Sequence, residues 1–402
     1  MGRIAWSQGK GPLVPFADGY RQELARQGYT PNSVRYHVQL MGQLDRWLAG
    51  EDIPPAELAS ARAQEFLATR RARGQRRVPT LRTLVPLFGY LRGRQVVPPE
   101  QPMKTPLEAL LERYRHHLVH DRGQAPSTVL RHQRWARRFL VQRASRADGE
   151  IGVEGLGGAE VIAYLLECGS RLVVASAKRE AADLRALLRF FYLEGIIRTD
   201  LSAAMPPVAA WRDTRLPATL SAADVAALLG SCDRSQPTGR RDFAILSLLA
   251  RLGLRSGEVA ALQLSDVDWR AGEILVTGKA RRVDRLPLPV DVGEALVAYL
   301  SDGRPPGGCR HLVLTRYAPP RPINPSSITS VVYRACDRAG LARVGGHRLR
   351  HALATEMLRR GGDLVEISQV LRHSDLGTTG VYAKVDRTAL RTVALAWPGA
   401  VR

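Results

Sequence analysis

His347-Arg-Leu-Arg350-His351 is the stretch on which the reading of this 402-residue chain turns. By itself the string says little. His347 and His351 stand four apart and so share one helix face, with Arg350 beside them. Upstream, Arg241 to Leu252 is an apolar-rich run that a helix would bury, and Gly253 is a natural stop for it, so Leu252-Gly-Leu-Arg255-Ser-Gly-Glu258 opens a new helix at Arg255. Between these arginine segments, Ile274-Leu-Val-Thr-Gly278 and Asp284-Arg-Leu-Pro-Leu-Pro289 read as two short strands around a basic turn carrying Lys279. Downstream come Leu371-Arg-His373-Ser and Thr378-Thr-Gly-Val-Tyr382. Ser221 with Asp224 marks a helix start. Residues 217–402 therefore predict a mainly α unit with a small β-sheet, helical to about Val385.

The preceding sequence predicts helices alone. Leu107, Leu110, Leu111 and Tyr114 recur at helical spacing, and Ser127 is a candidate cap for a helix burying Leu130, Trp135 and Phe139. This plan occurs twice. Gly28-x-x-Pro31-x-x-Val34-x-x-His37 is matched by Gly123-x-x-Pro126-x-x-Val129-x-x-His132, and Phe88-Gly-Tyr90-Leu91-Arg-Gly93 by Phe190-Phe-Tyr192-Leu193-Glu-Gly195. Two matches in one order suggest an internal duplication. Proline-rich stretches at Val97 to Pro106 and Pro206 to Pro217 separate the parts, giving expected domains 1–100, 106–205 and 217–402.

Composition points to a polyanionic partner: 59 Lys and Arg against 38 Asp and Glu leave a net charge of +21. The excess spreads over all three segments, so it is no basic tail. Lysine occurs only at positions 10, 104, 178, 279 and 384, which leaves 54 of the 59 cations as arginine. Cys168, Cys232, Cys309 and Cys336 are too widely spaced for a zinc set or a compact disulfide framework and are expected reduced and mostly buried. No apolar run approaches the roughly 18 to 20 residues of a membrane helix, and a cytoplasmic, nucleoid-associated location is expected.

Taken in order, the arginine segment at Arg255, the Gly278-Lys279 turn, the H-x-x-R string at His347, the Leu-Arg-His373 string and the Tyr382 segment resemble the catalytic domain of tyrosine recombinases, the lambda-integrase-like or phage integrase family. Residues 106–205 are similar to that family's SAM-like core-binding domain, and 1–100 to a duplicate of it. The resemblance implies a site-specific DNA recombinase or integrase, of the kind carried by mobile elements and used in transposition. Such an enzyme forms a 3′-phosphotyrosyl intermediate and exchanges strands through a Holliday junction as a homotetramer on double-stranded DNA sites. It requires no cofactor, metal or ATP. Accessory recombination proteins could direct it.

The residue types suit that chemistry. Displacement at a phosphodiester needs a nucleophile, cations for the non-bridging oxygens and an acid for the leaving 5′-oxygen. Tyr382 is the candidate nucleophile. Arg255 and Arg350 offer permanently charged planar forks for phosphate, with Glu258 orienting Arg255. Lys279 is the candidate acid, because an ammonium can release a proton where a guanidinium cannot. His347 and His373 are expected to hydrogen-bond the phosphate, His347 also assisting proton transfer, with His351 in support. A zinc site at His347 and His351 is disfavoured because Arg348 stands where a general-base Glu would be and Arg350 would repel a dication. Arg282, Arg285, Arg131 and Arg134 are candidate DNA contacts, and either Arg282 or Arg285 answers to an arginine that follows the family's lysine.

One departure stands out. The family usually has a Gly before the third-box histidine, and here Arg372 occupies that place, as a harmless substitution at a helix edge, an added phosphate contact, or a displacement of His373. The apolar stripe Leu390, Val393, Leu395 and Trp397 suits contact with another protomer or with its own domain. Two other functions fit the residues: a type IB topoisomerase, and a DNA-binding regulator without catalysis. Complete catalytic residue types disfavour the latter, and paired DNA-binding domains disfavour the former.

Overall fold

The computed structural model describes residues 11–74, 78–99, 105–144, 152–203, 205, 220–278 and 282–372. The chain divides into two compact units, one formed by Met1–Pro99 with Leu216–Arg402 and the other by Glu100–Arg215. Among the described residues no helix is long and apolar enough to cross a membrane.

Helices α1 (Ala17–Arg26), α2 (Pro31–Gly50), α3 (Ser60–Ala72) and α4 (Leu81–Gly93) enclose one core, in which Tyr20, Leu24, Met41, Leu44, Leu84, Leu87 and Leu91 are buried. The Glu100–Arg215 unit follows the same order in α5 (Pro106–His116), α6 (Pro126–Ala144), α7 (Gly158–Arg171) and α8 (Val174–Leu193), around Tyr114, Leu118, Ala136, Phe139, Leu184, Leu187 and Phe191. Local geometry matches as well. Pro31 and Pro126 each begin a long helix, where the missing N–H costs nothing, after Gly28 and Gly123 at φ +80° and +56°. Tyr29 N–H donates to Leu24 O and Gln124 N–H to Leu118 O, the second segment having gained one residue in a π-turn at His117–Asp121.

Two expectations need correction here. Ser127 lies inside α6, which Pro126 begins, and Leu130 is 47% exposed, because α6 buries the face of Val129, His132, Trp135, Ala136, Phe139 and Leu140. At the C-terminal ends, Leu91 is buried while its supposed counterpart Leu193 is 59% exposed. The structural equivalents lie two residues away: Val96 N–H bonds Leu91 O and Ile196 N–H bonds Phe191 O, around left-handed Gln95 and Gly195.

The C-terminal segment opens with α9 (Ala222–Gly230), where Ser221 Oγ accepts from Asp224 N–H and Asp224 Oδ2 from Ser221 N–H. Next come α10 (Pro237–Arg251) and α11 (Ser256–Ala261). Ala244, Ile245, Leu246, Leu248 and Leu249 are fully buried, so this part of α10 is enclosed on all sides and lies at the centre of this core. An antiparallel sheet follows: β1 (Val267–Asp268), β2 (Glu273–Thr277) and β3 (Val283–Pro287), with Ile274 opposite Leu286 and Thr277 opposite Val283. Ile274 and Val276 point into the core, the alternation expected of a half-buried strand. Helices α12 (Val290–Asp302), α13 (Pro325–Arg338), α14 (Gly346–Arg359) and α15 (Leu364–Leu371) complete it. Cys168, Cys232 and Cys336 are buried, Cys309 is partly so, and all four are free.

Candidate active site

Gly253 is the pivot of the site. It follows α10 at φ +58°, a backbone conformation that favours glycine, and a Cβ there would lie 2.8 Å from Leu371 Cδ2 and 3.0 Å from Leu353 Cδ2, so those side chains would have to shift. Its carbonyl accepts from Arg350 Nη1 at 2.5 Å, and Arg350 Nη2 donates to Leu371 O. Arg350 is thus buried in α14 and ties the end of α10 to the end of α15.

Two residues after Gly253, Arg255 caps α11. Its backbone N–H donates to Glu258 Oε2 at 2.9 Å and its Nη1 to Oε1 at 2.7 Å. The two side chains differ in setting: Arg255 is 37% exposed and Glu258 only 5%. Burial alone would raise the Glu258 pKa, but the Arg255 N–H and the Arg372 and Arg255 guanidiniums reverse this and hold it below the usual carboxylate range.

Arg372 stands at a helix edge, as the C-cap of α15, but its side chain turns inward: it is 4% exposed and Nη2 donates to Glu258 Oε2 at 2.6 Å. The hairpin reaches the same carboxylate. A Cβ on Gly278 would stand 3.9 Å from Glu258 Oε1, and Gly278 N–H closes the turn onto Arg282 O at 2.7 Å. Lys279 itself lies outside the described residues, as do His373, Tyr382 and the apolar stripe from Leu390 to Trp397.

His347, near the start of α14, is exposed. The protein around it, then Arg350 and Arg255, lower its pKa, with Glu258 opposing them. His351, one turn on, has its ring centroid 6.4 Å from that of His347 and a pKa also lowered, first by burial.

Arg255, Glu258, Arg350, His347 and the Gly278 turn are therefore gathered around the first arginine segment. The candidate DNA contacts are more dispersed. Arg282 Nε bonds Asp284 Oδ1 at 2.9 Å, and Arg285 Nη1 bonds Glu273 Oε2 at 2.8 Å; both are largely exposed. In the Glu100–Arg215 unit Arg131 pairs with buried Asp183, which also contacts His132 Nδ1 at 3.0 Å, and Arg134 is exposed. Sequence reasoning missed Asp284, which stands between Arg282 and Arg372, because it reads as an ordinary strand residue.

Comparison with known proteins narrows the possibilities. A family model described as the phage integrase family matches residues 218–388. A protein of Sinorhizobium fredii named as an integrase/recombinase, y4rA, is 38% identical over 97% of this chain and 96% of its own length. Tyrosine recombinase XerD of Mycobacterium tuberculosis is 31% identical over 74% of this chain and 98% of its own. The solved structure of XerH site-specific recombinase bound to palindromic difH substrate shares the fold, with a TM-score of 0.52 at 18% identity, over 74% of this chain and 98% of that one.

Proposed function

The chain belongs to the phage integrase family and is a site-specific tyrosine recombinase, and from that premise we propose that Tyr382 attacks the scissile phosphate of a double-stranded DNA site. A phosphorus–tyrosyl-oxygen bond forms at the 3′ end as the bond to the 5′-oxygen breaks. Bond energy is conserved in the phosphotyrosine, so rejoining to another 5′-hydroxyl requires no ATP. Arg255 presents its fork to the non-bridging oxygens, and Arg350 adds a second cation behind it. Lys279 protonates the leaving oxygen. His347, held neutral more readily than a free imidazole, accepts the tyrosyl proton, and His373 bonds the phosphate.

The observation that supports this reading is the bond from Arg350 to Gly253 O, which joins segments 97 residues apart only two residues before the partly exposed Arg255. Residues 1–100 and 106–205 act as duplicated DNA-binding domains, a reading supported by their common helix order and turn geometry. Arg131, Arg134, Arg282 and Arg285 supply phosphate contacts. Four protomers assemble on two sites and pass through a Holliday junction.

The test is a nicked suicide duplex bearing the site. A denaturation-resistant protein–DNA adduct should form with the natural chain and vanish in Tyr382→Phe. An adduct persisting in that variant would remove the assignment, and relaxation of plasmid without any site would favour a topoisomerase.

A further inference from the structure

Arg372 has no part in the chemistry just described, yet its placement is costly. It caps α15 in the left-handed conformation, φ +54° and ψ +48°, where glycine would be unstrained. Its guanidinium is 4% exposed, and among the described residues Nε and Nη1 have no hydrogen-bond partner. A position that tolerates neither the backbone nor the desolvation cheaply is kept for what the charge does.

The neighbouring charges say what that is. Glu258 Oε1 lies 2.7 Å from Arg255 Nη1, so the carboxylate that aims Arg255 also cancels the cation intended for phosphate. Glu258 Oε2 lies 2.6 Å from Arg372 Nη2 on its other side. Asp284 Oδ2 is 3.9 Å from Arg372 Nε, but Asp284 is itself paired with Arg282 at 2.9 Å. The guanidiniums of Arg255, Arg372 and Arg282 thus face the carboxylates of Glu258 and Asp284, with the buried Arg350 a further cation of the site.

We propose that Arg372 is a positioning residue that offsets the charge of Glu258, so that Glu258 can orient Arg255 without weakening its attraction for the scissile phosphate. The proposal rests on Arg255 being a phosphate ligand. Because the offsetting charge is buried, salt screens it little, unlike the exposed arginines.

The experiment measures single-turnover adduct formation on the nicked duplex, with thermal melting of each protein. Arg372→Gln keeps a hydrogen-bonding side chain without charge and should slow adduct formation about tenfold, at low and high salt alike. Arg372→Gly, which relieves the backbone, should slow it equally, and Arg372→Lys should stay within about threefold of the natural chain. With Glu258→Gln already present, adding Arg372→Gln should cost less than about threefold.

A Lys variant as slow as the Gln variant, the same tenfold loss in the Glu258→Gln background, or a Gln variant as fast as the natural chain would each overturn the charge offset. Arg255→Ala, measured alongside, separates the two readings. If it still cleaves, Arg255 is no phosphate ligand; if it fails while Arg372→Gln is unimpaired, only the offset is lost.

Discussion

Arg255 and Arg350 flank one cluster from opposite environments. Arg255, at the start of α11, has a third of its side chain in solvent and one carboxylate partner; Arg350, within α14, is buried and held by backbone carbonyls from α10 and α15. The same residue type therefore stands in two settings: the interior guanidinium ties backbone segments together, whereas the rim guanidinium, which we propose meets the phosphate, is partly in solvent and paired with Glu258.

Truncating the interior partner should have the largest effect. Arg350→Ala leaves the Gly253 and Leu371 carbonyls without their donor, so unfolding free energy should fall by about 1–3 kcal/mol for each carbonyl left unpaired, read in denaturant titration. Adduct formation should disappear with it. A variant as stable as the natural chain would mean that the carbonyls are served equally well by water.

Arg255→Ala should do the reverse. Glu258 keeps Arg372 as a partner, so stability should change by about 1 kcal/mol or less, while the adduct-forming rate drops on the order of a hundredfold to a thousandfold. Equal losses of stability in the two alanine variants would erase the division between rim and interior.

Much of this arrangement is legible in the amino-acid sequence. The hairpin is read from two short strand-like runs, Ile274 to Gly278 and Asp284 to Pro289, around a basic turn, and the start of α9 from Ser221 and Asp224, because both signals are local. Local signals also misled. Pro126 captures the first position of α6 and carries Ser127 inside the helix, and the Phe88 and Phe190 strings align by letters although the chain turns at Gln95 and Gly195. The burial of Arg372 had no local trace. Its partner Glu258 lies 114 residues away, and nothing in the string around Arg372 shows that the helix end faces inward.

His347 provides a pH-dependent measure of the rim. Its folded pKa is below the unfolded value, so in the window beneath the ordinary histidine range the unfolded chain binds more protons. Stability should be fully present above about pH 6.5 and fall as pH drops through the folded pKa, with His351 adding in the same sense. Melting temperatures of His347→Gln should therefore decline less on acidification than those of the natural chain. Identical slopes would show that His347 titrates as it does in the unfolded chain.

The smallest effect on the fold should come from the hairpin. Arg282 and Arg285 make exposed ion pairs with Asp284 and Glu273, contacts that contribute at most about 1 kcal/mol and that salt weakens. Replacing either by alanine should shift stability by about 0.5 kcal/mol or less. If each meets one phosphate in the complex, each replacement should also lower the salt slope of DNA affinity by about one, because one fewer counterion is released on binding. A changed slope with unchanged melting is what distinguishes a rim arginine from Arg350. An unchanged slope for Arg285→Ala beside a reduced one for Arg282→Ala would assign the phosphate contact to the turn and leave Arg285 to its partner Glu273.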